Sequence, residues 1–113
     1  MKVEILFRKD SPYAEEDRKH IRDGLCGSLK HLTTEDVKSE IRKVQCVHWT
    51  WHSDPEHAEE ACLFDKLFYF YCYERPCDVA ILFDYGDGKE LLCYESKASA
   101  FDVSDGVKTV EIY

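Results

Sequence analysis

Two runs of strand-forming residues flank a tight turn, and this arrangement constrains the fold more than any other part of the chain. The runs extend from Asp78 to Tyr85 and from Lys89 to Ser96, and Gly86-Asp87-Gly88 lies between them. Asp-Gly is the strongest short hairpin signal, because a type I′ turn needs positive φ at both central residues. We therefore expect an antiparallel hairpin here, with Asp87-Gly88 at the centre of its turn.

The N-terminal third predicts a strand followed by helices. Apolar and charged residues alternate from Lys2 to Arg8, which is typical of a half-buried strand. Ser11-Pro12 predicts a helix start, because serine caps helices and proline suits their first turn. This helix is expected to end between Gly27 and His31. Thr33-Thr34, followed by acidic residues, predicts a further helix start of one or two turns.

The middle of the chain predicts a second strand–helix unit, and the C-terminus a closing strand. Residues from Arg42 to Trp51 are rich in β-forming types and favour a strand. A helix is expected to begin at Pro55 and to reach about Tyr71, although the aromatic run Leu67–Tyr73 also suits a strand. Alternation from Val107 to Tyr113 predicts the last strand.

Together these elements predict a single α+β domain covering residues 1–113. The expected order is β-α-β-α-β-β-β, and successive strands and helices in this order form two packed layers. We expect a mixed sheet of about five strands with two helices packed on one face. With 44% hydrophobic and 34% charged residues, the composition is that of a globular protein.

Charge is distributed unevenly along the chain, and this asymmetry indicates the kind of partner. Residues 1–52 carry a net charge of +1, whereas residues 53–113 carry −9, which gives −8 in total. An acidic surface repels phosphates and anionic lipids and attracts basic proteins. The expected partner is therefore a basic protein, with no direct contact to nucleic acid or membrane.

The N-terminus and the absence of a long apolar run favour a cytoplasmic protein. The apolar core near Ile5 is shorter than the roughly 7–15 residues of a secretory h-region, and no apolar run reaches the roughly 20 residues of a membrane span. In a reducing compartment the 6 cysteines are expected to be thiols. No cofactor is expected, and the sequence leaves the oligomeric state open, a homodimer included.

In size and charge the chain resembles small acidic proteins that neutralise nucleic-acid enzymes, namely toxin immunity, anti-restriction and anti-CRISPR proteins. The resemblance implies an inhibitor, in the cytoplasm of a bacterial or phage-infected host cell, whose carboxylates occupy a cationic groove of its partner. Candidate contacts are carboxylates in loops and turns, with two aromatic residues suited to interface hot spots. These candidates are Asp54, Glu56, Asp84, Asp87, Glu90, Asp102, Asp105, Trp49 and Trp51.

A metal-dependent nuclease is the alternative. Pro76-Cys77-Asp78 and Glu95-Ser96-Lys97 together resemble the signature of the PD-(D/E)xK nuclease superfamily. The resemblance implies that Asp78 and Glu95, aided by Glu59 or Glu60 from a preceding helix, hold a divalent metal. It also implies that Lys97 activates water. If Gly86 faces Lys89 in the hairpin, Asp78 faces Lys97 and Ala80 faces Glu95, so that the three side chains share a face.

A zinc site, a catalytic thiol and a role as an adaptor are three further hypotheses. A zinc site could draw on His48, His52, His57, Cys46 and Cys62, although none of the usual ligand spacings is present. Cys46 beside His48 is the one local pair for thiol catalysis. The chain could also be an adaptor or complex subunit with no activity of its own.

Overall fold

The computed structural model describes residues 1–53, 63–72, 75–94, 98–103 and 107–112, with side chains except at residues 44–53, 65, 98 and 112. Three α-helices and four strands occur in these ranges. Their bounds are β1 Lys2–Phe7, α1 Glu15–Leu29, α2 Thr34–Ser53, α3 Leu63–Cys72, β2 Val79–Asp84, β3 Lys89–Tyr94 and β4 Lys108–Ile112. Short 3-10 turns cover Pro76–Asp78 and Ala98–Phe101.

The strands form one mixed sheet in the order β1-β2-β3-β4. β1 with β2 and β2 with β3 are antiparallel, whereas β3 and β4 are parallel. The α+β class and the mixed sheet are confirmed. The predicted element order is wrong, because the described part of the chain has four strands and three helices where about five strands and two helices were expected.

The predicted strand from Arg42 to Trp51 is wrong, since this segment belongs to helix α2. The helix start predicted at Thr33-Thr34 is confirmed, but the helix has 20 residues instead of the one or two turns expected. A reciprocal capping box fixes the start: Asp36 N–H donates to Thr33 Oγ1 at 3.1 Å, and Thr33 N–H donates to Asp36 Oδ2 at 3.0 Å. Val37 and Ile41, four residues apart, are both buried. Helical periodicity here outweighs the β-propensity of single residues.

Helix α1 begins at Glu15 rather than at the predicted Ser11-Pro12. Ser11 instead closes a turn before the helix, because its hydroxyl accepts a hydrogen bond from Tyr13 N–H at 3.3 Å. Arg18 holds this turn by donating to the carbonyl oxygens of Ser11 at 3.1 Å and Tyr13 at 2.9 Å. The predicted C-terminal limit is confirmed, as the helix ends at Leu29.

The aromatic run Leu67–Tyr71 is helical, as the sequence favoured over a strand. Phe64, Phe68 and Cys72 recur every four residues on α3 and are fully buried. They pack on the sheet: the ring centroids of Phe64 and Phe83 lie 5.4 Å apart. The helix start predicted at Pro55 lies outside the described residues.

The sheet has two differently covered faces. All three helices pack on one face, over a core that includes Ile5, Ile81, Phe83, Leu92 and Val110. On the opposite face the segment around Phe101 covers Ala80, Leu91 and Cys93. Cys26, Cys72, Cys77 and Cys93 are thiols. No helix in the described ranges is both long and apolar enough to cross a membrane.

The β2–β3 hairpin is confirmed, but its predicted turn is wrong by one residue and its predicted register by two. Lys89 faces Asp84 instead of Gly86, and Ala80 faces Cys93 instead of Glu95. Tyr85 N–H donates to Gly88 O at 2.9 Å, so Gly86-Asp87 forms the two-residue turn. Gly86 has φ 91° and Asp87 has no positive φ, the pattern of a type II′ turn.

Candidate interaction surface

Helices α1 and α3 touch through a glycine. The ring of Tyr71 lies against the backbone at Gly24, where an added Cβ would overlap it. No described residue lies within 4 Å of the corresponding position at Gly27, three residues on. Gly24 therefore lets an aromatic side chain of α3 lie directly across α1.

Aromatic rings continue outward from this contact. Phe70 packs edge-on against Tyr71 with a centroid distance of 4.9 Å and an interplanar angle of 83°. Tyr71 meets the imidazole of His20 at 6.2 Å and 64°. The Phe70 side chain is 75% exposed and its neighbour Tyr69 is 58% exposed. Four other described phenylalanines, Phe64, Phe68, Phe83 and Phe101, are buried, so the exposed Phe70 ring is a candidate contact for another molecule.

Carboxylates of α1 lie within about one helical turn of His20. Glu16, Asp17 and Asp23 stand at i−4, i−3 and i+3 from His20, so helical geometry places them around it. All three are exposed, and none makes an ion pair with any residue that the structure describes. Lys19 lies between Asp17 and Asp23 in sequence and is likewise unpaired within the described ranges. We call this surface the α1–α3 patch: Glu16, Asp17, His20, Asp23, Phe70 and Tyr71.

The patch combines two features that suit a cationic protein surface. Exposed aromatic rings offer contact area and the ring faces on which guanidinium and ammonium groups stack. Unpaired carboxylates offer acceptors for charge-assisted hydrogen bonds. The helix backbones beneath are rigid, so little ordering is needed when a partner binds.

The hairpin tip carries two of the predicted contact carboxylates. Asp87 is exposed at the turn and makes no hydrogen bond or ion pair with a described residue. Asp84 accepts a hydrogen bond from Gly86 N–H at 2.9 Å, so its carboxylate also shapes the turn. The hairpin tip is therefore acidic, and the Asp87 carboxylate is its group most accessible to a cationic partner.

Two other predicted contacts are already paired within the chain. Glu90 faces the helices, with its side chain 15% exposed and its Oε2 3.8 Å from Lys108 Nζ. Asp102 lies 2.9 Å from Lys9 Nζ at the surface and adopts φ 60°. Each is less available to an external cation than an unpaired carboxylate would be.

The remaining predicted contacts are outside the described structure. Asp54, Glu56 and Asp105 lie outside the described residues. Trp49 and Trp51 belong to α2, but their side chains are not described. Their participation stays a prediction.

The alternative nuclease site is described only at Asp78. This residue lies in the 3-10 turn before β2, where it is 9% exposed and its Oδ2 is 3.7 Å from Arg75 Nη1. Glu59, Glu95 and Lys97 lie outside the described residues. Among residues with described side chains, no three His, Cys, Asp or Glu groups are placed to hold a metal ion.

The zinc and thiol hypotheses depend on residues that the structure leaves out. His57 and Cys62 lie outside the described residues, and Cys46, His48 and His52 belong to α2 with side chains not described. The pairing of Cys46 with His48 as a catalytic thiol and base therefore also stays a prediction.

Burial makes the interior thiols poor nucleophiles. It raises the pKa of Cys72 to about 12. Burial, with the Asp23 carboxylate as a smaller cause, also raises the pKa of Cys26. Thiolates are the reactive form, so neither position favours covalent catalysis.

Sequence reasoning missed the α1–α3 patch, although one signal was present. Leu67–Tyr73 is apolar on every side, and a helix that is aromatic all round leaves some rings outside the core. The identity of the exposed ring, Phe70, follows only from the contact of α3 with α1.

Comparison with protein families, curated proteins and solved structures finds no match to this chain.

Proposed function

We propose that the protein is a non-enzymatic binding protein that neutralises a basic, nucleic-acid-acting partner by covering its cationic surface. The observation that carries the proposal is the 75% exposed Phe70 side chain beside unpaired carboxylates. The net charge of −8 extends the same preference to the whole molecule. In this proposal the α1–α3 patch is the centre of the contact.

The charges and the aromatic rings contribute differently to binding: the charges raise the association rate, and the rings supply the affinity. A strongly negative molecule is steered toward a positive partner, and this long-range attraction raises the association rate at low salt. Aromatic residues at the centre of an interface supply most of the binding free energy, since they bury large areas at small entropic cost. Phe70 and Tyr71 therefore account for affinity, and Glu16, Asp17 and Asp23 for orientation.

The class of partner follows from the chemistry that complements the patch. Nucleic-acid-binding surfaces cluster Lys and Arg in grooves that accept phosphates, and carboxylates on a rigid scaffold can occupy the same groups. Asp87 at the hairpin tip extends the acidic surface. The predicted contacts Asp54, Glu56, Asp105, Trp49 and Trp51 are part of this proposal as secondary contributors.

Affinity capture from the source cell tests the proposal. The wild-type chain should retain a basic nucleic-acid-acting protein at low salt and release it at about 0.5 M salt, where the Debye length falls to a few ångströms. The captured protein should lose nuclease or nucleic-acid-binding activity when the chain is added. Capture of a neutral or acidic protein that salt does not release, or full activity of the complex, would refute the proposal.

A matched pair of variants locates the surface. Phe70→Ser should reduce capture at least tenfold, as expected for a central hot spot worth about 2 kcal/mol or more. His31→Ser changes an exposed residue outside the patch without altering the formal net charge and should leave capture nearly unchanged. Equal capture by both variants would remove the α1–α3 patch from the interface.

A further inference from the structure

Strand β1 lies at the edge of the sheet with one row of backbone groups unpaired. Arg8 N–H donates to Asp78 O at 2.9 Å, which directs the backbone groups of even-numbered residues toward β2. The N–H and C=O groups of Val3, Ile5 and Phe7 therefore point away from the sheet. No residue in the described ranges bonds to them. Such an edge is a template for a further strand.

The side chains of β1 restrict which strand can pair there. Glu4, Leu6 and Arg8 share the face opposite the helices, because Leu6 packs with Ala80 on that side. Glu4 is exposed and makes no ion pair with a described residue. Among the described residues the Arg8 guanidinium has one ion pair, with 3.6 Å between its Nε and Asp10 Oδ1, and that Nε is buried without a hydrogen bond to any described group. Both charges thus lack a full partner in the part of the chain that the structure describes.

The strand is complementary to itself. When two copies are placed antiparallel with Leu6 facing Leu6, each Glu4 faces Arg8 of the second copy. The outward-facing backbone N–H and C=O groups of Ile5 then lie opposite those of Phe7 in the second copy. The apolar side chains of these two residues lie next to each other on the face covered by the helices. A register centred on Ile5 instead places Lys2 opposite Arg8, and like charges directly opposite are unfavourable.

We propose that the protein forms a two-fold symmetric dimer in which β1 pairs antiparallel with β1 of a second copy, with Leu6 on the axis. The two sheets become continuous, and two Glu4–Arg8 pairs fix the register. The α1–α3 patch lies on another element, so each dimer presents two copies of it. Dimerisation does not depend on the identity of any partner.

Sedimentation equilibrium of the full chain at about 0.15 M salt tests the dimer. At this salt concentration the long-range repulsion between two negatively charged copies is screened, whereas ion pairs between groups in contact persist. The wild type should show a concentration-dependent monomer–dimer equilibrium. Glu4→Arg and Arg8→Glu should each weaken the dimer about tenfold or more. The double variant should recover most of the loss, because the pairs re-form with exchanged signs. A monomer at every concentration, an open polymer, or single variants that dimerise like the wild type would overturn the proposal.

Three further variants test the register. Leu6→Cys should give an intermolecular disulfide on mild oxidation, since non-hydrogen-bonded antiparallel partners have Cα atoms about 4.5 Å apart. Glu4→Cys is the matched control and should not cross-link, because the two positions lie far apart across the axis. Lys2→Glu should not tighten the dimer. Cross-linking through Glu4→Cys alone, or a tighter dimer with Lys2→Glu, would refute the Leu6-centred pairing.

Discussion

Gly24 is the residue on which the contact between α1 and α3 depends. The helix interior normally disfavours glycine by about 1 kcal/mol relative to alanine. At position 24 the absence of a Cβ leaves room for the Tyr71 ring, which in turn supports the exposed Phe70. One glycine thus links the sequence of α1 to the surface that α3 presents.

Gly24→Ala should therefore destabilise the protein although alanine is the better helix former. The added methyl forces Tyr71 to move, and overpacking of this kind costs about 1–3 kcal/mol. Chemical denaturation measures the free energy of unfolding. Gly27→Ala is the matched control: it adds a methyl group where the described structure has open space and should stabilise by about 0.5–1 kcal/mol. Similar effects at both positions would contradict the role assigned to Gly24.

Asp36 contributes stability that depends on pH. The hydrogen bond from Thr33 N–H, with a smaller contribution from the Thr33 side chain, lowers the pKa of Asp36. A depressed folded-state pKa stabilises the protein above the unfolded value of about 3.9, and this stabilisation is lost as pH falls through the lower folded-state pKa. The window of loss thus lies below about pH 4.

Asp36→Ala should lower the free energy of unfolding at pH 7, and the difference from wild type should shrink at pH 2 to 3. Urea denaturation at several pH values gives both quantities. Glu35→Ala removes an adjacent exposed carboxylate that is not part of the capping box, so its effect should vary less with pH. A pH-independent loss at Asp36 would contradict the role of its charge.

At the scale of elements, the hairpin turn is the sharpest difference from the sequence prediction. Gly86-Asp87-Gly88 permits a type I′ turn at Asp87-Gly88 and a type II′ turn at Gly86-Asp87. The structure has the second, with Gly86 at φ 91°. A shift of two residues in register leaves the two faces of each strand unchanged, because side chains alternate with a period of two.

Alanine substitutions distinguish the two turns. Gly86→Ala should destabilise the protein by about 1–2 kcal/mol, because an L-residue resists positive φ. Gly88→Ala should change stability by less than about 0.5 kcal/mol, since its φ is not positive and no described residue crowds it. Thermal unfolding of both variants under one condition makes the comparison. A larger loss at Gly88 would favour the type I′ turn.

Strands and helices were predictable from the sequence to different degrees. β1, the hairpin strands and β4 combine alternation with turn residues, so two independent signals agree. In α2 the local β-propensity of Val44, Val47 and Trp49 opposed the helical spacing of Val37 and Ile41. The capping box at Thr33 favoured the helix, and burial of one face decides such conflicts. The β-propensity of single residues carries no information about which face of a helix becomes buried.

At the scale of the whole molecule, charge indicated the class of partner but not the surface. The excess of acid in residues 53–113 is a property of composition and predicts attraction to basic proteins. The carboxylates of the α1–α3 patch lie in the nearly neutral first half of the chain. They gain their proposed role from aromatic residues of α3, nearly fifty positions later in the sequence. Such a juxtaposition is set by helix packing, which sequence patterns do not specify.

The titration of charge-reversal variants against the captured basic partner tests the central claim most directly. Asp23→Lys reverses a carboxylate within the α1–α3 patch, and Glu35→Lys makes the same change in net charge at the start of α2. Isothermal calorimetry should show that Asp23→Lys weakens binding about tenfold more than Glu35→Lys, because only the first places a cation against the partner's basic surface. Equal weakening by both variants would mean that net charge alone governs binding, and unchanged affinity for both would contradict the claim that acidic residues bind the partner.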